Sequence, residues 1–143
     1  MIIVSKCLTG ECCRYDGGSK PSSRVMELIK NGQAVAVCPE QLGGLSTPRL
    51  PSELTADGAE VLKGRAQVMM SGGRDVTAEF IAGAYAALDI AKECGAKRAI
   101  LKAHSPSCWC GLVYDGSFTG RLVPGRGVTA ALFEANGITV ETE

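Results

Sequence analysis

The sequence predicts an α/β fold: one Rossmann-like domain over residues 1–143, an open and mostly parallel sheet with flanking helices. Three observations predict it. Short apolar runs alternate with amphipathic stretches along the chain, the pattern of βαβ units. The length of 143 residues matches one domain. The composition, 45% hydrophobic and 21% charged, is that of a globular core.

Ile2-Ile3-Val4 is a first strand. Residues 7–21 are Cys-, Gly- and polar-rich and read as a loop. Ser22 or Ser23 caps a helix running to about Asn31-Gly32, with Val25, Leu28 and Ile29 on one face. Ala34–Val37 is a second, buried strand. Residues 39–53 contain three prolines and Gly43-Gly44, so the pattern predicts a long loop that excludes a helix. Val61-Leu62 and Gln67-Val68-Met69 flank Lys63-Gly64-Arg65 and read as a small hairpin. Asp75 is the N-cap of the longest helix, about 76–94, whose stripe is Ile81, Ala84, Tyr85, Leu88 and Ala91; Gly95 ends it. Arg98–Leu101 is a third strand, 104–111 a loop, and Val113-Tyr114 a short strand. A last helix runs from Gly127 to about Asn136, and Ile138-Thr139-Val140 is the last strand.

Charge and hydropathy exclude several functions. Fifteen basic and fifteen acidic residues give zero net charge, which disfavours binding to a phosphate backbone. No apolar run approaches the ~20 residues of a membrane span. The apolar stretch before Cys7 is too short for a signal peptide, so the expected compartment is the cytoplasm.

The unusual feature is seven cysteines: Cys7, Cys12, Cys13, Cys38, Cys94, Cys108 and Cys110. An odd number without an export signal argues against a disulfide framework and for a metal, a cluster or thiol catalysis. No C-x-x-C is present, and His104 is the only histidine, so zinc-ribbon, thioredoxin and Cys₂His₂ patterns are absent. Cys7 follows the first predicted strand, Cys38 ends the second, and Cys108 lies in the loop after the third. Ligands of open α/β sheets bind outside the carboxyl ends of the strands, so these three are expected at one edge. Cys94 ends a helix stripe and reads as packing. Cys12 and Cys13 are adjacent, which hinders joint ligation of one ion. Cys110 either reaches the same site or is a spare.

Other motifs are weaker. Gly125-Arg126-Gly127-Val128-Thr129-Ala130 matches G-x-G-x-x-A, but no βαβ unit follows it. It reads as a tight turn into a helix whose N-terminus is suited to a small anion or polar substrate. His104 reads as a loop hydrogen-bonding residue, and Trp109 either stacks on a planar substrate or anchors its own loop. Glu40 in Cys38-Pro39-Glu40 either places a carboxylate beside the expected site or is a surface or ion-paired acid, and spacing alone weighs the two equally. Arg14, Arg49, Arg121 and Arg126 are a possible phosphate-contacting set.

Taken together, Cys7-Leu8-x-Gly10-x-x-Cys13-Arg14-Tyr15-Asp16-Gly17, Cys38-Pro39-Glu40-x-x-Gly43-Gly44-Leu45-x-Thr47-Pro48-Arg49, Asp75-Val76-Thr77, Lys102-x-x-Ser105-Pro106-Ser107-Cys108, Tyr114-Asp115-Gly116-x-Phe118-x-Gly120 and Gly127-Val128-Thr129-Ala130 resemble the family long labelled domain of unknown function 523. The resemblance spans nearly the whole chain in order. Members include thiouracil desulfidases, described as using a [4Fe-4S] cluster held by three cysteines to remove sulfur from 2- or 4-thiouracil without redox change. A cubane usually takes four thiolates, so three leave one iron open as a Lewis acid for the thiocarbonyl sulfur. The resemblance implies Cys7, Cys38 and Cys108 as ligands, with Cys13 in reserve. It implies Glu40 as activator of the attacking water, and Ser105 and Ser107 as hydrogen-bonding partners of substrate or intermediate, with Trp109 and Gly127 on the substrate side. Two departures are Lys6 where the family has a small residue, and Trp109-Cys110 before Gly111. The implied partner is a small thiolated pyrimidine. A tRNA thiouridine carries the same thiocarbonyl and is disfavoured by the neutral charge. The alternative is a non-catalytic iron–sulfur or zinc protein that carries sulfur.

Overall fold

The structure, a computed structural model, describes residues 1–143, with the side chain of Cys110 outside the description. In chain order the elements are β1 (Ile2–Ser5), α1 (Ser23–Lys30), β2 (Ala34–Val37), α2 (Pro39–Leu42), β3 (Ser52–Leu54), α3 (Gly58–Leu62), β4 (Val68–Met70), α4 (Thr77–Glu93), β5 (Arg98–Leu101), β6 (Cys110–Tyr114), β7 (Leu122–Arg126), α5 (Val128–Ala135) and β8 (Thr139–Thr142). A 3-10 turn, Lys6–Thr9, follows β1 directly.

The central sheet has the order β2-β1-β5-β8, and all three pairings are parallel. Val4 pairs with Ala36 on one side and Ile100 on the other. Alternation along β1 and β5 divides the core into two layers. Ile3, Ala99 and Leu101 face Phe80, Ala84 and Ala87 of α4 and Phe133 of α5. Val4 and Ile100 face Val25 of α1, together with Leu8, Cys7 and Cys13. Phe80 and Phe133 are almost completely buried, and each contributes roughly 1.5–3 kcal/mol. This is the α/β domain with a mostly parallel sheet that the sequence predicts, and no helix in it is long and apolar enough to cross a membrane.

Four expectations are corrected. The segment after β2 does contain a helix: Pro39 sits at the first helical position of α2, where its missing N–H costs nothing and its fixed φ suits the turn. The hairpin expected around Lys63-Gly64-Arg65 does not form. Val61 and Leu62 end α3, whose N-cap Asp57 accepts the Ala59 N–H at 3.1 Å, and β4 pairs antiparallel with β3 instead. Third, Val113-Tyr114 belongs to a longer strand, β6, paired antiparallel with β7. Pro124 and Gly125 hid β7 by interrupting its alternation. Asp75 acts one residue outside the expected place: its Oδ1 accepts the Thr77 N–H at 2.9 Å as α4 begins.

Candidate active site

Because β1, β2 and β5 are parallel, their carboxyl ends share one edge of the sheet. A cavity of about 380 Å³ opens there, lined by Cys7 and Cys13 after β1, Cys38 and Glu40 after β2, and Lys102, Ser105 and Cys108 after β5. All four cysteines proposed from the sequence, the reserve included, therefore face one space.

The Cys13 thiol lies near enough to those of Cys38 and Cys7 to be influenced by both, and the Cys38 Sγ–H reaches the Cys13 carbonyl at 3.8 Å. Cys108 is held by hydroxyls. Ser5 Oγ donates to its Sγ at 3.5 Å and itself accepts the Lys102 N–H at 2.8 Å. Ser105 Oγ accepts the N–H groups of Ser107 and Cys108, each at 3.2 Å, and its hydroxyl also contacts the Cys108 thiol.

These surroundings favour the protonated thiol at Cys13, Cys38 and Cys108. For Cys13 the Cys38 contact favours the thiolate, but the Cys7 contact and burial outweigh it and push the thiol up to about 11. The Cys13 contact, then burial, raises Cys38. Burial pushes Cys108 up to about 12 despite the Ser5 hydroxyl. Burial also lowers the Lys102 ammonium from its ordinary value, against the nearby Cys7.

Glu40 is the second residue of α2, so the helix that follows Cys38 carries it to the same edge. Its Oε1 accepts from Arg49 Nε at 3.3 Å. Arg49, Lys102, Ser5 and Glu53 also line the cavity; of these the sequence reading considered only Arg49, as a phosphate contact. Ser5 had a legible signal, as it ends β1 two residues before Cys7, and Lys102 directly follows β5.

Three residues expected on the substrate side lie elsewhere. Ser107 is fully buried and shares a 2.6 Å hydrogen bond with Thr129 Oγ1. Gly127 lies against the Ser107 backbone, which a Cβ would strike. Trp109 packs against His104, ring centroids 3.9 Å apart, and Tyr114, so it anchors its loop. The N-terminus of α5 is filled as well: Val128 N–H donates to the Pro106 carbonyl at 3.0 Å, and Thr129 and Ala130 donate to that of Ser107 at 2.8 and 3.1 Å. No cavity-facing anion site exists there. Cys94 donates to the Ala91 carbonyl at 3.5 Å and packs on the core, as expected. Cys12 is exposed and does not line the cavity. Cys110 lies outside the described side chains. The four arginines form no common patch. Arg49 is buried on Glu40, Arg14 pairs with Asp16, Arg121 with Asp115, and Arg126 with Asp57 and Glu134.

The donors that line the cavity are soft sulfurs, Cys7, Cys13, Cys38 and Cys108, the ligand type of iron–sulfur clusters. In a cubane each thiolate binds a different iron, so a wider set of soft sulfur donors around a cavity fits that group.

Comparison with known proteins agrees with this geometry. A Bacillus subtilis (strain 168) relative, the uncharacterized protein YbbK, is 45% identical over 144 residues, covering 100% of this chain and 95% of that protein. A solved structure described as the [4Fe-4S]-dependent thiouracil desulfidase TudS superposes with a TM-score of 0.89 at 44% identity, covering 99% of this chain and 89% of that one. The family model for 2-thiouracil desulfurase matches residues 2–143. The chain belongs to the 2-thiouracil desulfurase family.

Proposed function

We propose that this chain catalyses the non-redox hydrolysis of a thiouracil to uracil and hydrogen sulfide, using a [4Fe-4S] cluster held by Cys7, Cys38 and Cys108. The observation that carries the reading is that these cysteines, Cys13, Glu40 and Ser105 line one cavity. The reaction balances without electrons: the thiocarbonyl and one water give the carbonyl and H₂S. When bound, the cluster supplies an open iron as a soft Lewis acid toward the thiocarbonyl sulfur.

The chain's own groups do the rest. The Glu40 carboxylate takes a proton from the water that attacks the ring carbon. Ser105 Oγ already accepts two backbone N–H bonds, so its hydroxyl proton is directed at sulfur or substrate. The Lys102 ammonium offsets the negative charge that three thiolates bring into the cavity. A small pyrimidine suits the site better than tRNA, because the arginines near and around it are already engaged by acids. A reducing cytoplasm suits free thiols of this number.

The test is anaerobic reconstitution followed by incubation with 2- and 4-thiouracil. A brown protein with about four irons per chain that yields uracil and sulfide supports the reading. Iron bound without uracil formation supports a sulfur carrier instead. A protein that stays colourless and inactive overturns the desulfidase reading and an iron–sulfur carrier alike.

A further inference from the structure

Arg49 follows the Thr47-Pro48 dipeptide in a loop, where an arginine ordinarily points into solvent. Its side chain is instead only 3% exposed. Four of the five guanidinium N–H donors are used. Nε donates to Glu40 Oε1 at 3.3 Å, Nη1 to the Ser46 carbonyl and Thr47 Oγ1 at 3.0 Å each, and Nη2 to the Cys13 carbonyl at 3.1 Å. The Arg49 backbone N–H donates to the Tyr15 carbonyl at 2.6 Å. Gln41 Nε2, one residue beyond Glu40, donates to the same Thr47 Oγ1 at 2.8 Å. One buried cation therefore joins the carboxylate, the cysteine loop and the 46–48 turn.

We propose that Arg49 is a positioning residue: it fixes the Glu40 carboxylate relative to the Cys13 loop, so that Oε2 is the oxygen offered to water in the cavity. The inference rests on the desulfidase reading of this site. A glutamate side chain has three rotatable bonds, and a charge-assisted hydrogen bond to one oxygen removes most of that freedom. Arginine alone supplies planar donors in several directions; lysine supplies the charge without the fork. Misplacing a catalytic group by about 1 Å costs on the order of 100-fold in rate.

The test uses Arg49→Met, Arg49→Lys, Glu40→Gln and the Glu40→Gln/Arg49→Met double variant. Iron per chain and the kinetics of uracil release are measured after reconstitution. Arg49→Met is expected to hold its iron and to lose roughly 10–100-fold in kcat, with KM changed less than about threefold. Arg49→Lys should recover little of that loss. In the Glu40→Gln background, removing Arg49 should cost less than about twofold more, because groups acting through one another are not additive. An activity-independent readout comes from thermal unfolding of the iron-free chains. There the double variant should lie near the less stable single variant and above the sum of the two shifts.

Full kcat in Arg49→Met overturns the proposal, as does the same fold-loss in both backgrounds, additive unfolding shifts, or iron loss in both Arg49 variants. Wild-type protein that binds iron but releases no uracil would sink the desulfidase reading instead, and the unfolding cycle would still decide the Arg49–Glu40 coupling.

Discussion

Cys38 and Glu40 stand two residues apart and face one cavity; in the proposed reading one is a soft donor and the other a proton acceptor. If Glu40 activates water, Glu40→Gln should lower kcat by about 10²–10⁴-fold while iron per chain stays at the wild-type value. Cys108→Ala should lose the iron and its visible absorption, and Cys94→Ala, whose thiol only meets the Ala91 carbonyl and the core, should retain both. Ser107→Ala should behave differently from Ser105→Ala. It leaves Thr129 Oγ1 without its 2.6 Å partner, so it should cost about 1–3 kcal/mol of stability, read from denaturant unfolding, with KM unaltered. The cysteines were legible in the sequence because a strand's carboxyl end fixes where the next residue goes. Ser107 and Gly127 were misplaced because what decides their surroundings is the approach of α5 to the 105–109 loop, about twenty residues away in sequence. Arg49 was read as a possible phosphate contact and not as a partner of Glu40, because only the tertiary fold turns a loop arginine inward.

Helix α2 shows how an element can be both misread and central. Three prolines between 39 and 53 suggest a loop, yet a proline at the first helical position starts a helix well. Four residues of helix are held against α4 through two glycines. A Cβ on Gly43 would strike the Glu79 carbonyl, and one on Gly83 the Pro39 carbonyl. Gly83→Ala must therefore push α2 away, and Glu40 with it. Overpacking of this kind costs about 1–3 kcal/mol, and the expected result is a lower Tm together with a lower kcat. An equal substitution at exposed Gly64, where the added Cβ meets nothing but φ is +77°, should lower Tm and leave kcat alone. The β6–β7 hairpin is tied to the site side by buried Glu53, whose Oε1 accepts the N–H groups of Gly116 and Phe118 at 3.1 and 3.2 Å.

At the scale of the molecule, the parallel order β2-β1-β5-β8 gathers residues 7, 38 and 108 at one edge. That arrangement was legible because alternating apolar runs specify α/β topology, whereas the antiparallel ribbons were legible only in part: β4 pairs with β3 and not with Val61-Leu62, and Pro124 and Gly125 hid β7. The acid side of the stability profile follows from carboxylates on arginines. Partial burial would raise Asp57, but hydrogen bonds from Arg126 outweigh it and hold the carboxyl below its ordinary 3.8. Arg98 and then Arg24 hold Glu141 below its ordinary 4.5. A depressed folded-state value means stability that is present above the unfolded value and is lost as pH falls through the folded one. Tm should therefore hold down to about pH 5 and decline below about pH 4, and Asp57→Asn should flatten part of that decline. A group bound only by the folded chain stabilises it, so iron-loaded protein should unfold at a higher temperature than iron-free protein.

The most direct measurement of the central claim is the amount of uracil and sulfide released from thiouracil by the iron-loaded chain with no reductant or oxidant added. The account predicts many turnovers and equal amounts of the two products. Iron-loaded protein that forms no uracil, or forms it only when an electron donor is supplied, would contradict it.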